Sequence, residues 1–258
     1  MLRKCLWHLS VIAFWLLAWE IAAAVVGRNI ILVSPRVTFA RLFSLALEAA
    51  FWNSIALSLG RILQGFVLAL IVGVVLAAAS ARWTVSYRLF LPAINVMNAI
   101  PIASFTILAL MAVRVANLSV FISFVTVLPI IFFNTYKGIE STDGKLLQMS
   151  QVFNVRPWKI IIYIYMKTVA PFVVSAASAG IGFAWKSGIA AELIGVVQGT
   201  IGFHLNTARI FLQTADVLAW TIAIVLLSYL MEKSFLFIFN RRTWKNFNIK
   251  TIHRMRVK

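Results

Sequence analysis

The sequence predicts an all-helical protein that crosses a membrane six times. Three observations carry this. Hydrophobic residues make up 62% of the 258 residues, well above the roughly 45–50% of a soluble domain. Charged residues are only 12%. The charges also bracket apolar runs, each long enough for the roughly 20 helical residues that cross a hydrocarbon core. Alternating strand patterns are absent, so helices rather than a closed barrel satisfy the backbone in lipid. This composition excludes an ordinary soluble enzyme and a disordered chain.

The elements follow in order. The first run covers about residues 10–27, with Glu20 inside it. Its basic start and Ala22-Ala23-Ala24 also suit a cleaved leader. Its length, with Trp15, Trp19 and Glu20, favours a retained span, because a leader's apolar core has only about 7–15 residues. Residues 28–60 then form an outer connection. There Ser34-Pro35 reads as an N-cap followed by proline at the first helical position. Phe39, Leu42, Phe43, Ala46 and Ala50 follow helical spacing, which predicts a short helix lying on the outer surface.

The second span, 62–81, lies between Arg61 and Arg82 and has no charge. The third, 89–113, opens with Pro92, Asn95, Asn98 and Pro101; the fourth, 115–136, contains Asn134. A polar inner connection follows. Within it, residues 145–156 read as a helix whose apolar face is Leu146, Met149, Val152 and Phe153, ended by Asn154, Arg156 and Pro157. Such a face invites either a groove in a partner or the surface of its own bundle. The fifth span, 168–195, contains Lys186 and Glu192; the sixth is 215–239. A basic tail, 240–258, closes what reads as one transmembrane domain over 1–258.

The formal charge is +17, from 24 Lys+Arg against 7 Asp+Glu. Six spans put both termini on one side. Arg3, Lys4, Arg82, Arg88, Lys137, Lys145, Arg156, Lys159, Lys167 and the tail share that side. Arg28, Arg36, Arg41, Arg61, Arg114 and Arg209 fall on the other. The bias predicts a multi-pass cell-membrane protein with both termini cytoplasmic. The tail reads as an anchor to anionic membrane lipid, not as a nucleic-acid site.

Reaction chemistry is missing from the sequence. Cys5 stands alone, and His8, His204 and His253 share no ligand spacing, so no metal site is expected. No nucleophile or catalytic carboxylate pair has a recognisable spacing. The stretch Gly138 to Gly144-Lys145 has the wrong spacing for a phosphate loop. The chain reads as a non-enzyme without a cofactor of its own. Any ATP and Mg²⁺ would belong to another subunit.

Two stripes of small residues recur four apart, Ala69-Gly73-Ala77 and Ala176-Gly180-Ala184-Gly188. They let helices approach closely in lipid, for packing or for sliding. Lys186 lies near mid-span, where a charge costs at least about 2.5–3.5 kcal/mol, so protein or water should surround it. Glu192 is about 120° round the helix from it, too far to pair. Lys186 suits attraction of an anionic solute, and Glu192 a latch on an outer gate. Neutralisation by a neighbouring helix suits both equally. Asn95 and Asn98 share a face, and Pro101 frees a backbone carbonyl. These three and Asn134 suit a polar pathway or interhelical hydrogen bonds.

In this order the pieces resemble the permease subunits of ATP-binding-cassette importers. The likeness is to the nitrate/sulfonate/taurine (aliphatic sulfonate-like) branch of the binding-protein-dependent transport system inner membrane component family. Val33-Ser34-Pro35 is similar to the branch's Pro-Ser-Pro. Ser58, Arg61 and Gly65-Phe66 resemble its Ser-Leu-x-Arg-x-x-x-Gly-Phe. Ala99-Ile100-Pro101 and Asn134 to Gly138 resemble its third-span proline and fourth-span exit. Ala191-Glu192 followed by Gly199-Thr200-Ile201-Gly202 resembles its Ala-Glu and Gly-x-Gly. The hallmark Glu-Ala-Ala loop is degenerate. Gln148, Met149 and Ser150 stand at Glu-Ala-Ala, Asn154 at the glycine, and Lys167 at the proline.

The resemblance implies a type I importer permease in which 145–156 is the coupling helix. Gln148, Met149, Ser150, Phe153, Asn154 and Arg156 would face the ATPase. The implied assembly has a second permease copy, two ATPase subunits and an extracytoplasmic substrate-binding protein. The solute would be small, such as a sulfonate, nitrate, taurine or a heteroaromatic vitamin precursor. The rival reading is a secondary transporter or channel that works without ATP, which has no need of an exposed docking helix.

Overall fold

The structure is a computed structural model. It describes the backbone of residues 2–27 and 31–248, and the side chains of residue 7 and residues 10–27 and 31–237. The expectations on Arg3, Lys4, Cys5, His8, Arg28, His253 and the basic tail lie outside the described side chains. Among the described residues eleven α-helices run in order: α1 Leu2–Val26, α2 Pro35–Ala46, α3 Ala49–Arg82, α4 Thr84–Ala99, α5 Ile102–Ala112, α6 Leu118–Glu140, α7 Gly144–Val152, α8 Pro157–Ile160, α9 Met166–Gly195, α10 Ile201–Ile210 and α11 Thr214–Asn248. A π-turn, Ile161–Tyr165, joins α8 to α9. No strand occurs among the described residues.

Among the described residues four segments are long and apolar enough to cross a membrane: Ala49–Arg82, Val115–Glu140, Pro157–Gly195 and Thr214–Phe237. The predicted third span is not one rod. α4 and α5 meet at 112°. The cause is Pro101, whose ring pushes the residue before it out of helical geometry; Ile100 sits at φ −71°, ψ 129°. The described part of the predicted first span, Ser10–Val26, is apolar but shorter than the other four. The second span begins earlier than predicted, because α3 starts at Ala49. Arg61 is no boundary: it sits half-buried within α3.

The core is the three-helix seam of α3, α6 and α9. Both small-residue stripes lie in it, and all seven residues are buried. A Cβ on Gly188 would meet Ile62 Cγ1 at 2.5 Å and Ser123 Oγ at 2.8 Å. One on Gly65 would strike the Val120 carbonyl. Dispersion at this distance replaces the hydrophobic effect that water would supply. Hydrogen bonds cross the seam as well. Ser123 Oγ donates to the Ala184 carbonyl at 3.1 Å, and the Thr126 and Ser187 hydroxyls lie 2.9 Å apart. Trp185, fully buried on α9, donates Nε1 to the Ile224 carbonyl of α11 at 3.1 Å.

α2 forms where the Ser34-Pro35 signal places it, with Ser34 as N-cap in an extended conformation. The face it buries differs from the predicted one. Pro35, Thr38 and Leu45 are inward, while Phe39 and Phe43 are exposed. An ion pair accompanies this orientation. Arg41 Nε and Nη2 reach Asp216 Oδ1 and Oδ2 at 2.5 and 3.0 Å, fastening α2 to the first turn of α11.

Candidate functional site

Two groups of candidate residues lie at opposite ends of the bundle. α9 connects them. With α8 and the π-turn it makes a helical segment of 39 residues, about 58 Å long at 1.5 Å per residue.

The first group surrounds Glu192, on the last turn of α9 and fully buried. Ser58 Oγ, from α3, donates to Glu192 Oε2 at 2.7 Å. The same Oγ accepts from the Ile201 N–H at 3.0 Å, and the Gly202 N–H points at Glu192 Oε2 from 3.5 Å. The carboxylate therefore sits at the N-terminus of α10, where free N–H groups and the helix dipole favour an anion. The local sequence builds this reversal. Val196 at φ 50° ends α9, and Gly199 at φ 74° turns the chain. Thr200 caps α10, its Oγ1 accepting from the Phe203 N–H at 3.3 Å. A side chain on Gly202 would strike the Glu192 Cβ and the Leu193 nitrogen. Glu192 Oε1 and Ser119 Oγ, both buried, make no hydrogen bond among the described residues.

α10 is tied down at a second point. His204 Nε2 lies 3.0 Å from Ser54 Oγ, one turn before Ser58, and the imidazole stacks on Trp220 of α11 at 5.2 Å. Burial pushes the His204 pKa down, with nearby Glu48 opposing the shift. The ring is therefore neutral near neutral pH.

The predicted pathway residues separate in space. Asn95, Asn98 and Pro101 are exposed on α4 and its break. Lys186 is exposed on the outward side of α9, alongside Ala179 and Phe183. It has no acidic partner among the described residues. Glu192 lies on the buried side of the helix, about 120° round from Lys186, so the two side chains do not meet. Asn134 is half-buried and donates Nδ2 to the Ile130 carbonyl of its own helix at 2.8 Å. Its amide nitrogen is thus engaged within α6.

The second group is α7. Asp143 caps it by accepting from the Lys145 N–H at 2.8 Å. Asn154, at φ 47°, stops it. The helix is shorter than the predicted 145–156 for this reason, and Arg156 is instead the N-cap of α8, with Pro157 behind it. Leu146, Met149, Val152 and Phe153 are all exposed, the last two at 79% and 72%. Gln148, Asn154 and Arg156 are exposed beside them. Ser150 is not on this face. It is buried and bonds the Leu147 carbonyl at 2.7 Å.

Sequence reading missed Asp216 as the partner of Arg41, and Ser54 as the partner of His204. Both pairs join residues more than a hundred positions apart, and no local spacing announces them. It did single out Ser58, Glu192 and Gly202, but only as separate motif fragments.

Comparison with known proteins accounts for that motif order. The chain is 26% identical over 238 residues to the nitrate import permease protein NrtB of Synechocystis, covering 88% of this chain and 85% of the relative. It is 26% identical over 253 residues to the putative aliphatic sulfonates transport permease protein SsuC of Escherichia coli, covering 96% and 93%. It is 21% identical over 220 residues to the taurine transport system permease protein TauC of Escherichia coli, covering 83% and 80%. Residues 69–245 match one family along their length, and the chain belongs to it: the binding-protein-dependent transport system inner membrane component family of ABC transporter permeases.

Proposed function

We propose that the chain forms half of the translocation pathway of an ATP-driven importer for a small anionic or zwitterionic solute. The observation that carries this is α7: a capped helix with an unpartnered apolar face, at the end of the bundle remote from Glu192. Gln148, Met149, Phe153, Asn154 and Arg156 dock in a cleft of a separate ATPase subunit, while Ser150 holds the helix from inside. α7 and both termini lie on the cytoplasmic side. α2 and α10 lie outside and meet a substrate-binding protein.

The pathway runs between two copies of the chain. Asn95, Asn98 and Lys186 are exposed on segments apolar enough to span a membrane, and within the bilayer lipid contact with a lysine would cost about 2.5–3.5 kcal/mol or more. A second copy and the water between the two relieve that cost. Lys186 draws the anionic group of the solute, and the Pro101 break lets α5 follow α9. Asn134 packs α6 rather than touching solute. Glu192 holds α10 against α3 as an outer latch. The named solutes of the relatives, taurine, nitrate and aliphatic sulfonates, support a small solute of this class. ATP and Mg²⁺ belong to the ATPase.

Affinity purification from the native membrane tests the proposal. The parent chain is expected to bring down an ATPase with a phosphate-binding loop. Met149→Asp and Phe153→Asp are expected to lose it while keeping the helical fold. Unchanged association of both variants sinks the docking assignment. A parent chain that is stable with no ATPase points to an ATP-independent transporter or channel.

A further inference from the structure

The connection from α7 into α9 carries a surface that neither docking nor the pathway uses. Lys159 Nζ lies 5.6 Å over the Trp158 ring, and Lys167 Nζ lies 5.7 Å over the Tyr163 ring. Trp158 and Tyr163 are 52% and 59% exposed, and Ile162 and Met166 are exposed between them. Lys159, Tyr163 and Lys167 recur every four residues, which places them along one side of a helix. No Asp or Glu occurs anywhere from residue 144 to residue 191, so this stretch supplies no anion of its own.

Two environments fail this surface. Bulk water would leave a contiguous set of large apolar side chains uncovered. Hydrocarbon would strand two ammonium groups. The lipid–water boundary satisfies both, with rings and aliphatic stems among the upper acyl chains and each ammonium among headgroups. Length allows this placement. The segment Pro157–Gly195 is 39 residues, about 58 Å against a hydrocarbon core of about 30 Å. About 28 Å of it lies outside the acyl region, enough for its first turns to stand at the boundary. The apolar face of α7 has no such cation–ring pairs among the described residues, which separates it from this surface in chemistry.

We propose that the Trp158–Lys167 stripe is a binding site for anionic phospholipid headgroups in the leaflet next to α7. The site rests on the membrane-spanning fold and not on docking to an ATPase, so either reading can fail without the other. Its phosphate contacts are the Lys159 and Lys167 ammonium groups, held at headgroup height by Trp158 and Tyr163.

The test uses the purified full chain in nanodiscs that mix phosphatidylglycerol with phosphatidylcholine, with retained lipid counted by native mass spectrometry. The parent chain is expected to retain phosphatidylglycerol preferentially, and to lose that preference in about 1 M salt, where screening acts within about 3 Å. The pair Lys159→Gln and Lys167→Gln is expected to lower the preference about 25-fold. That is about fivefold per lysine, the factor equivalent to ~1 kcal/mol for each basic residue near an anionic surface. Lys159→Arg with Lys167→Arg is expected to keep it, and so is Arg114→Gln at the opposite end. Equal retention of both lipids by the parent overturns the proposal, as does an undiminished preference in the Gln pair. A Gln pair that keeps the lipid preference but loses a co-purifying protein makes the stripe a protein interface, and the proposal fails. Should the Gln pair not fold, Lys159→Gln and Lys167→Gln taken singly decide: each is expected to lower the preference about fivefold, and an unchanged preference in both overturns the proposal.

Discussion

Ser58 is the smallest change that opens the Glu192 site. Its hydroxyl donates to Glu192 Oε2 at 2.7 Å and accepts from the Ile201 N–H at 3.0 Å. Ser58→Ala removes both bonds in a site where Ser58, Glu192 and Ile201 are all fully buried. A buried hydrogen bond contributes about 0.5–1.5 kcal/mol, and a buried N–H left without a partner costs a further ~1–3 kcal/mol. The variant should therefore lose about 1.5–4.5 kcal/mol, a fall in Tm of at least about 3 °C for a chain of this size. Thermal unfolding of the purified chain in a fixed detergent reads this directly. Ser54→Ala, which removes the neutral bond to half-buried His204 and the one that Ser54 Oγ donates to the Ala50 carbonyl at 2.8 Å, should cost about 1–3 kcal/mol, at about 0.5–1.5 kcal/mol for each bond. A double-mutant cycle of Ser58→Ala with Glu192→Leu isolates the contact and should give a coupling of about 1–3 kcal/mol. The reasoning is refuted if Ser58→Ala stays within about 0.5 kcal/mol of the parent. It is refuted equally if the two changes add.

Two further outcomes follow from the packing and from His204. Gly188→Val places side-chain atoms against Ile62 and Ser123, where even a Cβ comes within 2.5 Å. It should destabilise by at least about 1–3 kcal/mol; a variant as stable as the parent in thermal unfolding would mean that α3 and α9 can spread. Burial lowers the His204 pKa, so between the folded value and about 6.5 the unfolded chain binds more protons. Stability from this group is complete above about pH 6.5 and is lost as pH falls toward the folded value. His204→Phe keeps the ring stack on Trp220 and should flatten the decline in Tm between pH 7.5 and pH 5. The same slope in both proteins would remove His204 as its source.

Much of the architecture is legible in the sequence because lipid imposes simple demands. Uncharged runs mark spans, and the four-residue recurrence of Ala and Gly marks the α3 and α9 faces that the structure buries against α6. The Asn154 signal ends the inner helix, although α7 stops at Val152, four residues before the predicted end at 156. The failures have a common physical source. A charge suggests a boundary, yet Arg61 lies inside α3, whose first three turns fall within the predicted outer connection. Pro101 signals a freed carbonyl in the sequence but makes a 112° break in the fold. The exposed Phe39 and Phe43 satisfy a helical period as well as a buried face would, and the contacts that orient α2, the Arg41–Asp216 pair among them, come from distant parts of the chain. The Glu192 site was visible as fragments, but its closure depends on contacts between residues 134 and 143 positions apart.

The tightness of the seam bears on how such a chain can switch. A helix pair that slides needs space to slide into, and the α3–α9 contact has none at Gly188, nor the α3–α6 contact at Gly65. Close-packed interiors move between discrete arrangements rather than deforming continuously. Packing of this kind would make α3, α6 and α9 move as one body, with α10 carried along through Ser58 and Glu192. The exposed polar residues lie off this body's buried seam, on α4 and on the outward side of α9. On the proposed reading, a pull on α7 would rotate the body as a whole and open or close the gap to a second copy, with no helix register changing inside either. Spreading of α3 from α9, the behaviour a stable Gly188→Val would report, would instead place the switch within a single copy. The latch at Glu192 would then have to break in every cycle, where in the rigid-body scheme it stays closed.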